Sequence, residues 1–146
     1  MIIKDVMTAH PTCCSPNDTI DTVAKLMLEH DCGEIPVCDG NALIAVVTDR
    51  DITCRAVATG KPVLTVPVRD VMTRNVYSVN QNDKIEAALN LMEQKMVRRL
   101  PVVNQMGMIV GIISLADIIA KARMLKVALM MRSLAKRTRK YGLSLA

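Results

Sequence analysis

The sequence predicts an α/β protein: two tandem β-α-β-β-α repeats packed with pseudo-twofold symmetry, followed by a C-terminal helical tail. Three observations predict it. A segment near the N-terminus returns 65 residues later, and both copies interleave short β-branched runs with helix-period apolar stripes. The last 26 residues carry no acid, and those from 125 on follow neither copy.

The duplication comes first, because it organises everything else. Lys4–Thr8 reads KDVMT and Arg69–Thr73 reads RDVMT; at that offset, residues 5–37 hold 11 identities in 33 positions. Average composition gives roughly two by chance. NDTI answers NDKI, KLM answers NLM, and IPV answers LPV. Beyond a turn the offset becomes 66, since the second copy has one more residue near Met106–Gly107. The repeats are assigned to 1–66 and 67–124, and the basic tail to 125–146.

Each copy opens with a short extended segment, Thr12–Cys14 or Tyr77–Val79. A helix follows, with Asp18 or Asp83 as the expected cap and Asp21 or Glu86 completing a capping box. Its apolar stripe is Ile20, Val23, Ala24, Met27 and Leu28 in the first copy. Ile85, Ala88, Leu89, Met92 and Met96 form the stripe of the second. Two β-branched runs come next, Ile35–Val37 with Leu43–Val47, and Leu100–Val103 with Met108–Ile113. The turns CDGN and NQMG suit hairpins. A second helix opens after Val47 and after Ile113, and the first of these should stop at Gly60, before Pro62. One copy is too small to bury both faces of its sheet, so the two are expected to pack together with a cleft between them.

Composition narrows the function. Phe and Trp are absent and Tyr occurs twice, so the 51% hydrophobic content is aliphatic, with 11 Met. That disfavours the aromatic platforms on which nucleic-acid bases stack. No run approaches 18 uncharged apolar residues, and Lys4 and Asp5 interrupt any signal-peptide core, which places the chain in the cytoplasm. The five cysteines are odd in number, no C-x-x-C occurs, and the histidines are His10 and His30. Reduced structural thiols are expected, and no metal site. Adjacent Cys13 and Cys14 offer a redox switch as the lesser reading. With no G-x-S-x-G, Walker loop or G-x-G-x-x-G, no catalytic constellation is recognisable, so no enzyme is expected.

The charge is uneven. Residues 1–120 carry 11 Lys+Arg against 14 Asp+Glu, and residues 121–146 carry 8 Lys+Arg and no acid. As one helix from Leu115 to about Arg139, the tail would have two opposed stripes. Ile118, Ala122, Leu125 and Leu129 form one, and Met124, Val127, Met131 and Leu134 the other. One stripe covers the body and the other asks for a partner. A second protomer, a larger protein or an anionic surface met by Ala135–Lys140 would serve. A solvated basic helix end is the plainer alternative.

The chemistry concentrates where a hydroxyl residue precedes an Asp by three, directly after an apolar strand. The pairs are Thr48 with Asp51 and Ser114 with Asp117. A capping box explains the spacing. Phosphate bound at the helix start, with the Asp accepting two vicinal ribose hydroxyls, explains it too. Arg98 and Arg99 precede LPV, where guanidinium forks suit phosphate oxygens; Gly33 and Glu34 stand at the matching place.

In the order DVMT, then IPV or LPV, then VVTDRDI or GIISLADI, twice within residues 1–124, the chain resembles a cystathionine-β-synthase-type (CBS) domain pair, or Bateman module. The resemblance implies two related clefts and frequent homodimers. It also implies binding of AMP, ADP, ATP or S-adenosylmethionine, usually to regulate a protein partner. By position, Asp51 and Asp117 would take ribose hydroxyls, with Thr48 and Ser114 near phosphate. Ile35–Pro36 and Leu100–Pro101 would frame the base together with Thr12–Ser15 and Tyr77–Asn80. The resemblance also implies a basic residue for phosphate at Arg98 or Arg99; Arg50 is a compensating cation in the first copy. Two rivals stay open: a scaffolding dimer with degenerate clefts, and an adaptor whose basic tail at 135–140 meets nucleic acid or a membrane.

Overall fold

The structure, a computed structural model, describes residues 1–121 and 124–140, without the side chains of 124–126 and 137–140. Expectations resting on Ala122, Met124, Leu125, the basic residues beyond Lys136 and the tail from 141 on lie outside the described residues. In chain order the elements are β1 (Thr8–Ala9), α1 (Ile20–Glu29), β2 (Glu34–Asp39), β3 (Ala42–Thr48) and α2 (Asp49–Ile52). There follow β4 (Val79–Asn80), α3 (Ile85–Lys95), β5 (Arg99–Val103), β6 (Ile109–Ser114), α4 (Leu115–Lys121) and α5 (Met124–Lys140).

Two compact units form. One holds His10–Val76 with Met106–Ile109; the other holds Met1–Ala9, Tyr77–Gln105 and the described residues from Val110 on. Each unit thus keeps the body of one repeat and takes the D-V-M-T segment of the other. The mechanism is edge pairing. Thr73 exchanges backbone bonds with Val46 of β3 at 3.0 and 2.8 Å, and Thr8 pairs antiparallel with Ile112 of β6. Those are equivalent places in the duplication, and each segment caps an edge that would otherwise expose unpaired N–H and C=O groups.

In the first-repeat unit, β2 and β3 form a hairpin turned at Gly40, whose φ of +59° is costly for a side-chain-bearing residue. Cys14 lies parallel to Val37, donating its N–H to Pro36 O and accepting from Cys38 N–H, both at 2.9 Å. Helix α1 buries Ile20, Val23 and Met27 against Ile35, Val37, Ala45 and Val47. The predicted stripe was too wide. Ala24 is exposed and Leu28 is 83% exposed; at 100° per residue Leu28 lies about 100° from the centre of the buried three. α2 runs into a π-helical turn, Thr53–Val57. It stops as expected at Gly60, where Lys61 N–H reaches Ala56 O (3.0 Å) and Gly60 N–H reaches Val57 O (3.2 Å), a Schellman closure.

In the second-repeat unit the sheet order is β1-β6-β5-β4, with β4 parallel to β5. α3 buries Ile85, Ala88, Leu89 and Met92 on it, as its periodicity predicts; Met96, expected in the same stripe, is instead the left-handed C-cap residue after the helix and only half-buried. The tail stripes need correction. Val127, Met130 and Leu134 of α5 join the core with Leu89, Met92 and Ile118, whereas Leu129 is 59% and Met131 51% exposed. Helix rotation explains it, since positions 127, 130 and 134 fall within about 60° of each other while Leu129 points the opposite way. Burying each such side chain contributes about 1.5–3 kcal/mol, so α5 is bound to the unit rather than appended to it.

The expected caps also move by one residue. Thr19 and Lys84 occupy the N-cap positions of α1 and α3. Asp18 and Asp83 instead accept the N–H groups of Ser15 (2.8 Å) and Asn80 (3.0 Å), closing the turn before each helix. Their short carboxylates satisfy the turn that feeds the helix, and so are spent before it begins.

Candidate ligand site

The second helix of each repeat starts on a hydroxyl–carboxylate box, and both boxes are made. Asp51 N–H donates to Thr48 Oγ1 (3.0 Å) and Thr48 N–H to Asp51 Oδ2 (3.1 Å). Asp117 N–H donates to Ser114 Oγ (3.1 Å), while Ser114 N–H and Oγ–H both reach Asp117 Oδ2, at 2.9 and 2.6 Å. In each unit the preceding N–H of the helix is tied to the residue before the hairpin: Asp49 to Gly33 O at 3.0 Å, Leu115 to Arg98 O at 2.8 Å. The local frames are therefore the same, and the side chains hung on them differ.

Asp51 is 8% exposed and saturated. Thr73 Oγ1 donates to its two oxygens at 3.2 and 3.1 Å, and Arg55 Nη1 lies 3.5 Å from Oδ1. The same Arg55 nitrogen donates to the carbonyls of Val71 and Met72, at 3.1 and 3.3 Å. Among the described residues Asp117 has neither kind of partner. Its bonds go to Ser114 through Oδ2, and among the described residues no hydrogen bond or ion pair occupies Oδ1. Thr8, which stands where Thr73 does in the duplication, is exposed. Thr73 and Arg55 escaped the sequence reading, although the repeated D-V-M-T signalled that Thr8 and Thr73 had some shared task.

The cationic feature is equally one-sided. Arg98 and Arg99 are exposed at the start of β5. At the equivalent place a Cβ on Gly33 would meet Asp49 Oδ2 at 2.8 Å, so the Asp49 carboxylate fills the space that a side chain would need. Glu34 adds a second carboxylate next to it. Arg50 is exposed, and its backbone N–H donates to Asp49 Oδ1 at 2.8 Å. At these equivalent positions the first repeat carries Gly33, Glu34, Asp49 and Arg50, and the second carries Arg98, Arg99, Leu115 and Ala116.

A cavity of about 490 Å³ opens in the second-repeat unit, lined by Arg98, Arg99, Ser114, Leu115, Ala116, Ile119, Met131, Leu134 and Ala135. Its size is in the range of small-molecule sites, and a few polar groups set in apolar walls are their usual make-up. Of the expected residues it gathers Arg98, Arg99 and Ser114, with Asp117 behind Ser114 rather than on the wall. Leu100 and Ile35 are 1% exposed and belong to the two cores, and Pro36 and Pro101 are buried beside them. Strand pairing does bring Cys14 beside Val37 and Val79 beside Val102, so the segments expected to frame a base are neighbours within each unit.

The thiols form no disulfide. The Cys38 S–H hydrogen bond holds the Cys13 thiol below its ordinary value and drives Cys38 up. Burial, with Asp18 next, pushes Cys14 up to about 12. Among the described residues no three His, Cys, Asp or Glu side chains gather to hold a metal ion, and no helix is long and apolar enough to cross a membrane.

These features coincide with known proteins. The sequence matches the CBS domain over residues 3–56 and 68–123. It is 43% identical over 116 residues to the CBS domain-containing protein YhcV of Bacillus subtilis, covering 80% of this chain and 81% of that one. Hypoxic response protein 1 of Mycobacterium tuberculosis is 37% identical over 116 residues, covering 79% and 80%. The crystal structure of Hypoxic Response Protein I with two coordinated zinc ions superposes with a TM-score of 0.78 at 35% identity, over 84% of this chain and all of that one. The structure of CBSX2 in complex with AMP gives 0.72 at 25% identity, over 90% and 98%. Two matched domains, a duplicated fold and relatives aligned over most of their length agree: the chain belongs to the CBS-domain family, as a tandem pair.

Proposed function

We propose that this chain is a non-catalytic regulatory module that binds an adenosine-containing nucleotide, AMP, ADP, ATP or S-adenosylmethionine, at the second repeat. The observation that carries the reading is the cavity where Arg98, Arg99 and Ser114 meet, with an Asp117 oxygen behind them that has no partner among the described residues. The guanidinium forks suit phosphate, and a carboxylate with an unused oxygen suits ribose hydroxyls. The complex of CBSX2 with AMP supports this choice of ligand class. In the same reading the protein is a cytoplasmic homodimer that passes the ligand signal to a protein partner, and its thiols stay reduced.

The first repeat favours a structural role. Asp51 is occupied by Thr73, Arg55 and its own cap, and the Asp49 carboxylate fills the matching place and repels phosphate there. One ligand per chain follows. A thermal-shift screen with the four nucleotides tests the proposal, since a ligand at 100 times its Kd stabilises by about 2.7 kcal/mol. A chain indifferent to all four is a scaffold with two degenerate sites.

A further inference from the structure

The second-repeat cavity is completed by a helix outside both copies of the repeat. α5 docks through Val127, Met130 and Leu134, each 3–5% exposed, so its position is fixed by the core. Beside that docked stripe Met131 and Ala135 stand one turn apart (i, i+4) and both line the cavity. Met131 is 51% exposed despite being a large apolar side chain. The chemistry of the lining differs by element: Arg98, Arg99 and Ser114 are cationic or polar, and the α5 residues that line the cavity are apolar.

Among the described residues no aromatic side chain lines this cavity, and the protein has no Phe or Trp with which to stack a base. The thioether of Met131 is the most polarisable apolar group on the wall, and sulfur packs favourably against aromatic rings. We infer that Met131, with Ala135, is the base-contacting wall of the ligand site, while Arg98 and Arg99 hold the phosphate. The tail helix is then part of the binding site rather than only its output. A ligand that touches both α5 and β5 stabilises the docked helix by the same factor by which docking favours the ligand. Arg132 and Lys136, exposed on α5, are carried with it. This inference rests on the nucleotide reading of the cavity.

The test compares AMP with ribose 5-phosphate, which lacks the base, by calorimetry on the full-length protein. Met131→Ala is expected to weaken AMP about two- to tenfold, the range of a sulfur–ring contact, and to leave ribose 5-phosphate unchanged. Arg99→Ala is expected to weaken both. Hydrogen exchange supplies the second readout: AMP at 100 times its Kd should slow amides 127–135 by up to about 100-fold in the wild type, and less in Met131→Ala at the same concentration. Thermal unfolding of Met131→Ala without ligand checks that the half-exposed site leaves the fold intact. Equal AMP affinity in wild type and Met131→Ala overturns the role of α5 while leaving the nucleotide site standing. So does equal loss of both ligands, or an α5 whose exchange ignores AMP. If AMP, ADP, ATP and S-adenosylmethionine all fail to bind the wild type, the site reading falls and this inference falls with it.

Discussion

Thr73 Oγ1 donates to both carboxylate oxygens of Asp51, at 3.2 and 3.1 Å, whereas its counterpart Thr8 makes no such bond to Asp117. The Thr73 bond and the Arg55 contact therefore separate two copies of one motif. In one the carboxylate is spent on structure, and in the other one oxygen has no partner among the described residues.

Substituting the two aspartates should separate these roles. Asp51→Ala loses a cap worth about 1 kcal/mol and strands Thr73 and Arg55, for a total of about 2–3 kcal/mol in denaturant unfolding, with nucleotide affinity unchanged. Asp117→Ala should cost about 1 kcal/mol in stability, and about 1.5–3 kcal/mol in affinity through lost bonds to a charged group. Calorimetry on both variants decides. An Asp117→Ala chain with wild-type affinity and a lowered Tm would make its box only a cap.

Phosphate preference should reside in the arginine pair. Charges about 4 Å apart interact by about 4 kcal/mol at an effective dielectric of 20, so a tenfold preference for ATP over adenosine survives heavy screening. Arg99→Ala should erase most of that preference, and Glu34→Arg should raise phosphate affinity at the first repeat. An intact preference in Arg99→Ala would mean that the pair is only a solvated flank.

Two glycines should respond differently to alanine. A Cβ on Gly111 meets the Thr8 carbonyl oxygen at 2.9 Å and the Met7 side chain, so Gly111→Ala must push β1 off β6. A loss of about 1–3 kcal/mol is expected. Gly33→Ala meets only the end of the Asp49 side chain, which can rotate away, and should cost under about 1 kcal/mol. Equal losses in urea titrations would contradict the edge-pairing account.

The thiols should make stability fall in alkali. The folded state holds Cys14 at about 12 and Cys38 above the ordinary value of 9.0, so above pH 9 the unfolded chain releases protons that the fold retains. Stability should decline from about pH 9 upward, and less steeply in Cys14→Ala. The lowered Cys13 works in the opposite direction, contributing stability above the ordinary thiol range that is lost as pH falls through its own folded value. Mass-mapped alkylation should label Cys13 at a pH that leaves Cys14 and Cys38 untouched. Parallel pH slopes for wild type and Cys14→Ala would remove burial of Cys14 as the cause.

Sequence by itself determined what depends on neighbours along the chain. The duplication, the hairpins turning at Gly40 and Gly107, the stop at Gly60 and the two boxes from Thr48 and Ser114 are all local, set by backbone freedom and the reach of short side chains. Charge at Arg98–Arg99 against Gly33–Glu34 was equally plain. Only the tertiary structure decided which copy stays open. Thr73 reaches Asp51 across 22 residues, and Asp49 fills the space over Gly33, neither of which a pattern of residue types can foretell. It also decided which stripe of α5 is buried and that Met131 looks into a cavity, because helical periodicity defines faces but not what packs against them. Exchange of the D-V-M-T segments belongs to the same class. The motif was visible in the sequence, but strand pairing joins edges that are close in space, and the edge that needed covering belonged to the other repeat.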